Sequence, residues 1–151
     1  MDKYLNNKTI IQTKKTKPTS INSDNFIRIP ILNSISDSMS TQKYTDDYHH
    51  FPKEFFSTNK DCFSIKIKDN SMNNLFISGD FIIIEKKDYF EDGDIVAILV
   101  ENVGTTVRKI VQNNSLVTLI PCSSNEEYIS YTYNILKVKI IGKIIGSMRR
   151  Y

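Results

Sequence analysis

Short apolar runs separated by turn residues are the feature that most constrains the fold of this chain. From Cys62 onward the sequence is rich in Ile, Val, Thr and Tyr, and no long segment shows a period of 3.6 residues. This pattern is typical of strands and not of long helices. The sequence therefore predicts a mostly β fold, a bent and partly closed sheet with one or two short helical turns. We expect strands at residues 26–32, 62–68, 81–86, 94–101, 105–112, 115–120 and 135–147.

Turn and loop residues divide these strands. Pro30 predicts an edge position or a strand end, because proline lacks the N–H group that a central strand donates. The Ser- and Asp-rich stretch 33–47 is expected to be a loop. We expect one helical turn after Pro52, a second over Met72–Ile77, and a hairpin turn at Asn113-Asn114.

The basic charge of the chain lies in its first 25 residues. This segment holds five lysines against two aspartates, which accounts for the whole formal net charge of +3. Its remaining residues are mainly Thr, Asn and Ser, so we interpret residues 1–25 as a disordered basic tail or linker. Residues 26–151 are expected to form one domain that is formally neutral, which is poor support for a nucleic-acid groove. Contact between the tail lysines and phosphates stays an alternative to a solvated tether.

The cysteine and histidine spacing indicates neither a metal site nor a cofactor. Cys62 and Cys122 form no Cys-x-x-Cys pair, so we expect two free thiols in a reducing cytoplasm. His49 and His50 have no third ligand at metal spacing and are interpreted as surface residues. The apolar runs are far shorter than the roughly 20 residues that span a bilayer, and the N-terminus has no apolar signal core. We therefore expect a cytoplasmic protein without membrane contact.

Ser71 lies at a position that suits nucleophilic chemistry. It follows the predicted strand 62–68 and precedes the predicted helical turn, where backbone N–H groups are free. A serine hydroxyl is a weak nucleophile and needs a base within hydrogen-bond reach. A lysine can be that base when burial favours its neutral form, and nearby N–H groups stabilise the oxyanion. A Ser-Met pair alone is a weak signal, so the order of the surrounding motifs decides its value.

That order resembles the LexA-type self-cleaving repressor domain, which has a Ser/Lys peptidase fold. The resemblance covers about residues 26–149 and rests on an ordered set of strands and turns. These are Ile29–Leu32, Tyr48–Phe56, Phe63–Met72, Gly79-Asp80, Gly93–Ala97, Thr106–Lys109, Leu119–Tyr128 and Ile140–Ile145.

The resemblance implies a function as well as a fold. It implies that Ser71 is the nucleophile, that the base lies on the strand with Thr106–Lys109, and that the chain is its own substrate. It further implies a homodimer and stimulation of cleavage by a RecA-type filament on DNA. Contact with DNA is implied only through a separate or missing helix-turn-helix domain, and the short tail is similar to that of a UmuD-type protein.

The first departure from the family pattern is at the base position. The usual form is Thr-Val-Lys, but Arg108 occupies the lysine's place here and Lys109 follows it. An arginine stays protonated and cannot act as a general base. Successive strand residues point to opposite faces, so Lys109 reaches Ser71 only through a β-bulge or a one-residue shift. With that shift, Lys109 is the candidate catalytic base.

Two further departures affect the substrate and the serine turn. The family usually cuts an Ala-Gly or Cys-Gly bond, but the corresponding region here has neither Ala nor Gly. Its candidate cleavage-loop residues are Ser36, Asp37 and Ser38. A charged Asp37 is costly to place unpaired in an apolar site. Asp69 stands where the family commonly has Gly, and Asp tolerates the left-handed conformation.

Two functions from different classes follow. The first is a LexA- or UmuD-like self-processing peptidase domain with Ser71 and Lys109 as the catalytic pair, acting in transcriptional regulation or the SOS response. The second is a non-catalytic dimerisation or regulatory module, for example from a truncated phage or mobile-element repressor. The apolar last strand, Val138–Met148, offers an edge that could pair with another copy.

Overall fold

A computed structural model describes residues 25–33, 44–56 and 61–151, and within them nine strands form one mixed sheet. Two 3-10 turns, Lys53–Phe55 and Ile135–Lys137, lie between strands of this sheet. The strands are β1 (Phe26–Leu32), β2 (Tyr44–Pro52), β3 (Cys62–Lys66), β4 (Phe81–Lys86), β5 (Ile95–Val100), β6 (Gly104–Asn113), β7 (Leu116–Ile120), β8 (Tyr131–Asn134) and β9 (Val138–Met148).

The mostly β class is confirmed, and so is the helical turn after Pro52. The strand order is β2-β1-β3-β4-β9-β5-β6-β7-β8, so β2 and β8 are the ends of an open sheet. All neighbouring strands are antiparallel except β1 and β3, which pair in parallel at Ile31 and Ser64. No described helix is long and apolar enough to cross a membrane.

The last strand joins the two halves of the sheet. The N-terminal part of β9, from Val138 to Lys143, pairs with β5, whereas residues from Gly142 to Met148 pair with β4. The ladder with each neighbour has a register shift, and such shifts bend a sheet. The expected exposed edge is therefore restricted: only from Ile144 to Met148 does β9 lack a second strand partner among the described residues.

Two apolar clusters form the core. One surrounds Phe63, Ile82 and Ile84, and the other surrounds Val96, Ile98 and Ile110; all six side chains are inaccessible to solvent. Each such side chain contributes about 1.5–3 kcal/mol of transfer free energy when buried. β9 supplies Ile140 to the second cluster and Ile141 to the first, because successive strand residues point to opposite faces.

Four local predictions differ from the structure. The predicted strand 135–147 begins with the 3-10 turn Ile135–Lys137, and β9 starts only at Val138. Pro30 is not on an edge strand, since β1 lies between β2 and β3; it lies where the register with β2 shifts and where β1 touches β3 at one residue pair. The predicted loop 33–47 already contains the start of β2 at Tyr44. The hairpin turn is formed by Asn114-Ser115, with Asn114 at φ 57°, one residue later than predicted.

The tail hypothesis concerns residues outside the described ranges, apart from Asn25. The candidate cleavage-loop residues Ser36, Asp37 and Ser38 also lie outside the described residues.

Candidate functional site

Ser71 sits at the start of the predicted helical turn. The N–H groups of Leu75 and Phe76 both donate to the Met72 carbonyl, at 2.9 and 2.8 Å, which closes one turn and confirms that prediction. Met72 and Phe76 are buried in the same cluster as Phe63 and anchor this turn to the core. The Ser71 residue is only 2% exposed.

The loop between β7 and β8 holds this turn from the other side. The Cys122 N–H donates to the Ser71 carbonyl at 3.1 Å, and the Asn74 N–H donates to the Cys122 carbonyl at 2.9 Å. The Ser123 hydroxyl donates to the Asn70 carbonyl at 2.6 Å. Because backbone bonds fix residues on both sides of Ser71, the hydroxyl has a defined position.

The Ser71 hydroxyl has two charged partners. Its Oγ donates to Asp69 Oδ1 at 2.7 Å and accepts from Arg108 Nη1 at 2.8 Å. Asp69 Oδ1 also accepts the Ser71 backbone N–H at 3.0 Å. The hydroxyl proton, one of its lone pairs and the adjacent amide are therefore all occupied.

Arg108 reaches Ser71 from the neighbouring part of the sheet. It pairs with Val96 of β5, and its Nη1 also donates to the Val107 carbonyl at 2.7 Å. Burial lowers the pKa of the Arg108 guanidinium below its ordinary value, and the Asp69 carboxylate opposes that shift. Arginine nevertheless remains a cation at physiological pH, so this side chain donates hydrogen bonds and does not accept a proton.

Lys109 occupies the next position on β6. It pairs with Ile95 of β5 and Ile120 of β7, and neither described ladder shifts register beside it. Alternation along the strand therefore directs Lys109 to the face opposite Arg108. The bulge or shift that would bring Lys109 to Ser71 is not present in these two ladders.

The contact between Asp69 and Ser71 was not expected from the sequence. Positive φ angles outside glycine occur only at Asn102 and Asn114 in the part of the chain described, so Asp69 does not use a left-handed conformation. Its carboxylate instead binds the backbone two residues later, as aspartates often do before a turn. The sequence signal for this contact was an aspartate two residues before a serine.

A cavity of about 240 Å³ opens beside Ser71. The end of β3 and the start of β6 form its walls, with apolar contributions from Ile67 and Val107. Thr105 Oγ1 is buried and has no hydrogen-bond partner among the described residues. The remaining lining residues are Asn33, Ile65, Lys66, Lys68, Asp69, Met72 and Thr106.

The other sequence candidates lie elsewhere. His49 packs edge-on against Phe81, with ring centroids 4.7 Å apart, and burial lowers its pKa. Cys62 and Cys122 are free, and burial with nearby carboxylates raises the pKa of the Cys62 thiol to about 11. Among the described residues, no group of three or more His, Cys, Asp or Glu side chains could hold a metal ion.

The two Gly-Asp turns position the strands around the site. Gly79 and Gly93 have φ angles of 100° and 93°, which favour glycine. Asp80 binds Arg149 through two hydrogen bonds of 2.7 and 2.8 Å, and Asp94 forms an ion pair with Lys143 at 3.1 Å. Each turn is thus tied to β9 or to the residue just after it.

Comparison with known proteins gives a consistent result along the chain. The sequence profile described as Peptidase S24-like matches residues 33–145. The LexA repressor of Thermotoga sp. (strain RQ2) is 33% identical over 151 residues, covering 97% of this chain and 75% of that protein. The LexA repressor of Carboxydothermus hydrogenoformans is 31% identical over 160 residues, covering 99% of this chain and 76% of that protein. That of Clostridium acetobutylicum is 31% identical over 157 residues, covering 97% and 74%.

Proposed function

The chain belongs to the Peptidase S24-like family, and we propose that it is a LexA-like repressor domain that keeps the family's fold without self-cleavage. The observation that carries the proposal is the 2.8 Å hydrogen bond from Arg108 Nη1 to Ser71 Oγ. The family resemblance predicts a lysine at this position, which could lose its proton. The residue here is Arg108, which stays charged.

The loss of chemistry follows from what the serine needs. Attack on a carbonyl requires that Ser71 give its proton to a base while its oxygen lone pair is free. Arg108 cannot take the proton, and it occupies a lone pair of the oxygen by donating to it. In place of a neutral lysine that can accept the hydroxyl proton, Ser71 therefore has a cationic donor that cannot accept it.

Self-cleavage with Ser71 as nucleophile and Lys109 as base is the second candidate. It is favoured by the buried Ser71 at the start of a helical turn beside a cavity of about 240 Å³. It requires β6 to shift by one residue so that Lys109 replaces Arg108 opposite Ser71. Its substrate would be the segment with Ser36, Asp37 and Ser38.

The partner in the proposed function is a second copy of the chain. Among the residues that the structure describes, β9 has a strand partner on one side only from Ile144 to Met148, and Ile145 in this stretch is 38% exposed. An unpaired strand edge with apolar residues can pair with the same edge of another copy. Dimerisation of this kind would let the domain act in transcriptional regulation without any cleavage.

The remaining partners rest on the family resemblance alone. We include a RecA-type filament and DNA, the latter reached through a separate helix-turn-helix domain. A regulator of transcription works where the DNA is, so we place the chain in the cytoplasm.

Incubation of the purified chain from neutral pH to about pH 10, near the pKa of a free lysine, tests the proposed function. Intact mass spectrometry should show one unchanged species, as for a Ser71→Ala control. A cut between Ile35 and Met39 that is absent from the control would overturn the proposal and support the second candidate.

A further inference from the structure

We infer that Asp69 is a second silencing residue, so that a lysine restored at position 108 would leave Ser71 largely unreactive unless Asp69 were also replaced. The inference deepens the proposed function and rests on it. Asp69 would act through Ser71 and through the group at position 108, which makes it a positioning residue.

The first step concerns the backbone N–H of Ser71. In acyl transfer, backbone N–H groups at the nucleophile stabilise the oxyanion, and removing one donor costs about 10²–10³ in rate. Here Asp69 Oδ1 accepts that N–H at 3.0 Å. A negative carboxylate oxygen therefore occupies the amide that a developing oxyanion would need.

The second step concerns the hydroxyl itself. Ser71 Oγ donates its proton to the same oxygen, Asp69 Oδ1, at 2.7 Å. A base at position 108 would have to remove a proton that is already directed at a carboxylate. The O–H bond must rotate away from Asp69 before the base can receive the proton.

The third step concerns charge. The Ser71 hydroxyl oxygen bridges Asp69 Oδ1 and Arg108 Nη1, so a carboxylate lies close to the group at position 108. An opposite charge within about 4–6 Å stabilises the charged form and shifts a pKa by about 1–3 units. A lysine at position 108 would therefore hold its proton at neutral pH for as long as Asp69 is present.

The two departures from the family pattern, Arg108 and Asp69, are therefore physically coupled. A half-buried guanidinium is costly without a counter-charge, and Asp69 supplies one across Ser71. The alternative role of Asp69 is only to cap the turn through the Ser71 N–H, a contact worth about 1 kcal/mol in stability. A cap alone does not change the pH at which Ser71 becomes reactive, and this difference separates the two roles.

The test uses a dialkyl fluorophosphonate as the probe, because labelling does not depend on the cleavage loop. Ser71 Oγ forms a bond to phosphorus, the P–F bond breaks, fluoride leaves, and the hydroxyl proton passes to the base at position 108. Intact mass gives the labelling rate as a function of pH. The chains compared are the unaltered one, Arg108→Lys, Asp69→Gly with Arg108→Lys, and Asp69→Asn with Arg108→Lys.

We expect no labelling of the unaltered chain and slow labelling of Arg108→Lys, confined to alkaline pH. Asp69→Gly with Arg108→Lys should label about tenfold or more faster near pH 8, with a midpoint at least about one unit lower, and Asp69→Asn with Arg108→Lys should show the lower midpoint because it removes the charge. The Asp69→Asn variant can still accept the Ser71 N–H, so it retains the cap if Asp69→Gly loosens the fold. Asp92→Asn with Arg108→Lys is the matched control, since Asp92 accepts the Gln112 N–H away from the site.

Equal rates and midpoints for Arg108→Lys and both double variants would overturn the inference about Asp69 and leave the proposed function in place. Failure of both folded double variants to label would also overturn it. Labelling of the unaltered chain at Ser71, lost in Ser71→Ala, would instead overturn the proposed function.

Discussion

At the scale of single residues, arginine and lysine differ in what they can do to a serine. Both are long and basic, but the guanidinium is a planar donor that stays charged, whereas burial can neutralise an ammonium group. Arg108 uses one nitrogen to bind both Ser71 Oγ and the Val107 carbonyl. An arginine in place of a lysine therefore keeps the charge at position 108 but removes the group that could accept the Ser71 proton.

A second residue-scale contact predicts a dependence of stability on pH. Asp80 is buried, and its hydrogen bonds with Arg149 hold the pKa of the carboxyl below its ordinary value. A group with a lowered folded-state pKa stabilises the protein fully above its unfolded pKa of about 3.9 and loses that effect as pH falls through the folded value. Asp80→Asn should therefore lower the urea midpoint at pH 7, and the difference should vanish in acid.

Glu101→Gln is the matched control for Asp80→Asn. Its ion pair with Lys137 is more than half exposed, and exposed pairs contribute little. If the urea midpoint of Asp80→Asn stayed below that of the unaltered chain by a constant amount from neutral to acid pH, the role given to the ion pair with Arg149 would be contradicted.

The sequence predicted some of this site and not the rest. Strand alternation predicted that Arg108 and Lys109 point to opposite faces, but which one meets Ser71 depends on how β6 pairs with β5, and that is a long-range property. The helical turn after Ser71 was predictable because it is local. The Asp69 contact is also local, but an aspartate at this position suits a left-handed turn as well as a side-chain bond to the backbone, and the sequence does not decide between them.

At the scale of elements, β9 has the most demanding position, because it pairs with two strands whose registers both shift beside it. Gly142 lies at this crossing, where an added Cβ would touch the Glu85 carbonyl and lie 2.6 Å from Ile84 Cγ2. The close approach of β4 explains why this position has no side chain.

Gly142→Ala should therefore lower the free energy of unfolding by about 1–3 kcal/mol, the usual effect of overpacking. Gly146→Ala, on the same strand, is the control: its added Cβ would meet only Ile83 Cδ1 at 3.7 Å, so the change should stay below about 1 kcal/mol. Urea denaturation of both variants measures this. Equal losses would show that the crossing is not tightly packed.

Most strands were predictable because their apolar residues are continuous or alternate, as in Phe81–Lys86 and Ile95–Val100. β2 and β8 were not predicted as strands. They are the two end strands and largely polar, so they become strands through pairing with β1 and β7 rather than through their own pattern.

At the scale of the whole molecule, the two apolar clusters are joined by β9, and the free part of its edge is the proposed dimer contact. Ile145→Lys places a charge on that edge, and a charge buried without a partner is costly. We expect the dimer dissociation constant to rise about tenfold or more, equivalent to about 1.4 kcal/mol, in sedimentation experiments.

Leu136→Lys, at a residue that is 87% exposed, is the control for Ile145→Lys and should leave association unchanged. If both variants and the unaltered chain had the same dimer dissociation constant, the edge of β9 would not be the dimer contact.

The intact mass of a chain carrying Ser36→Ala and Asp37→Gly, after incubation up to about pH 10, tests the loss of peptidase chemistry most directly. These changes provide the Ala-Gly bond that the family usually cuts, so an uncut chain can no longer be attributed to a poor substrate. We predict that this chain stays whole, because Arg108 still holds the Ser71 hydroxyl. A cut between positions 36 and 37 that disappears when Ser71→Ala is added would contradict the proposed function.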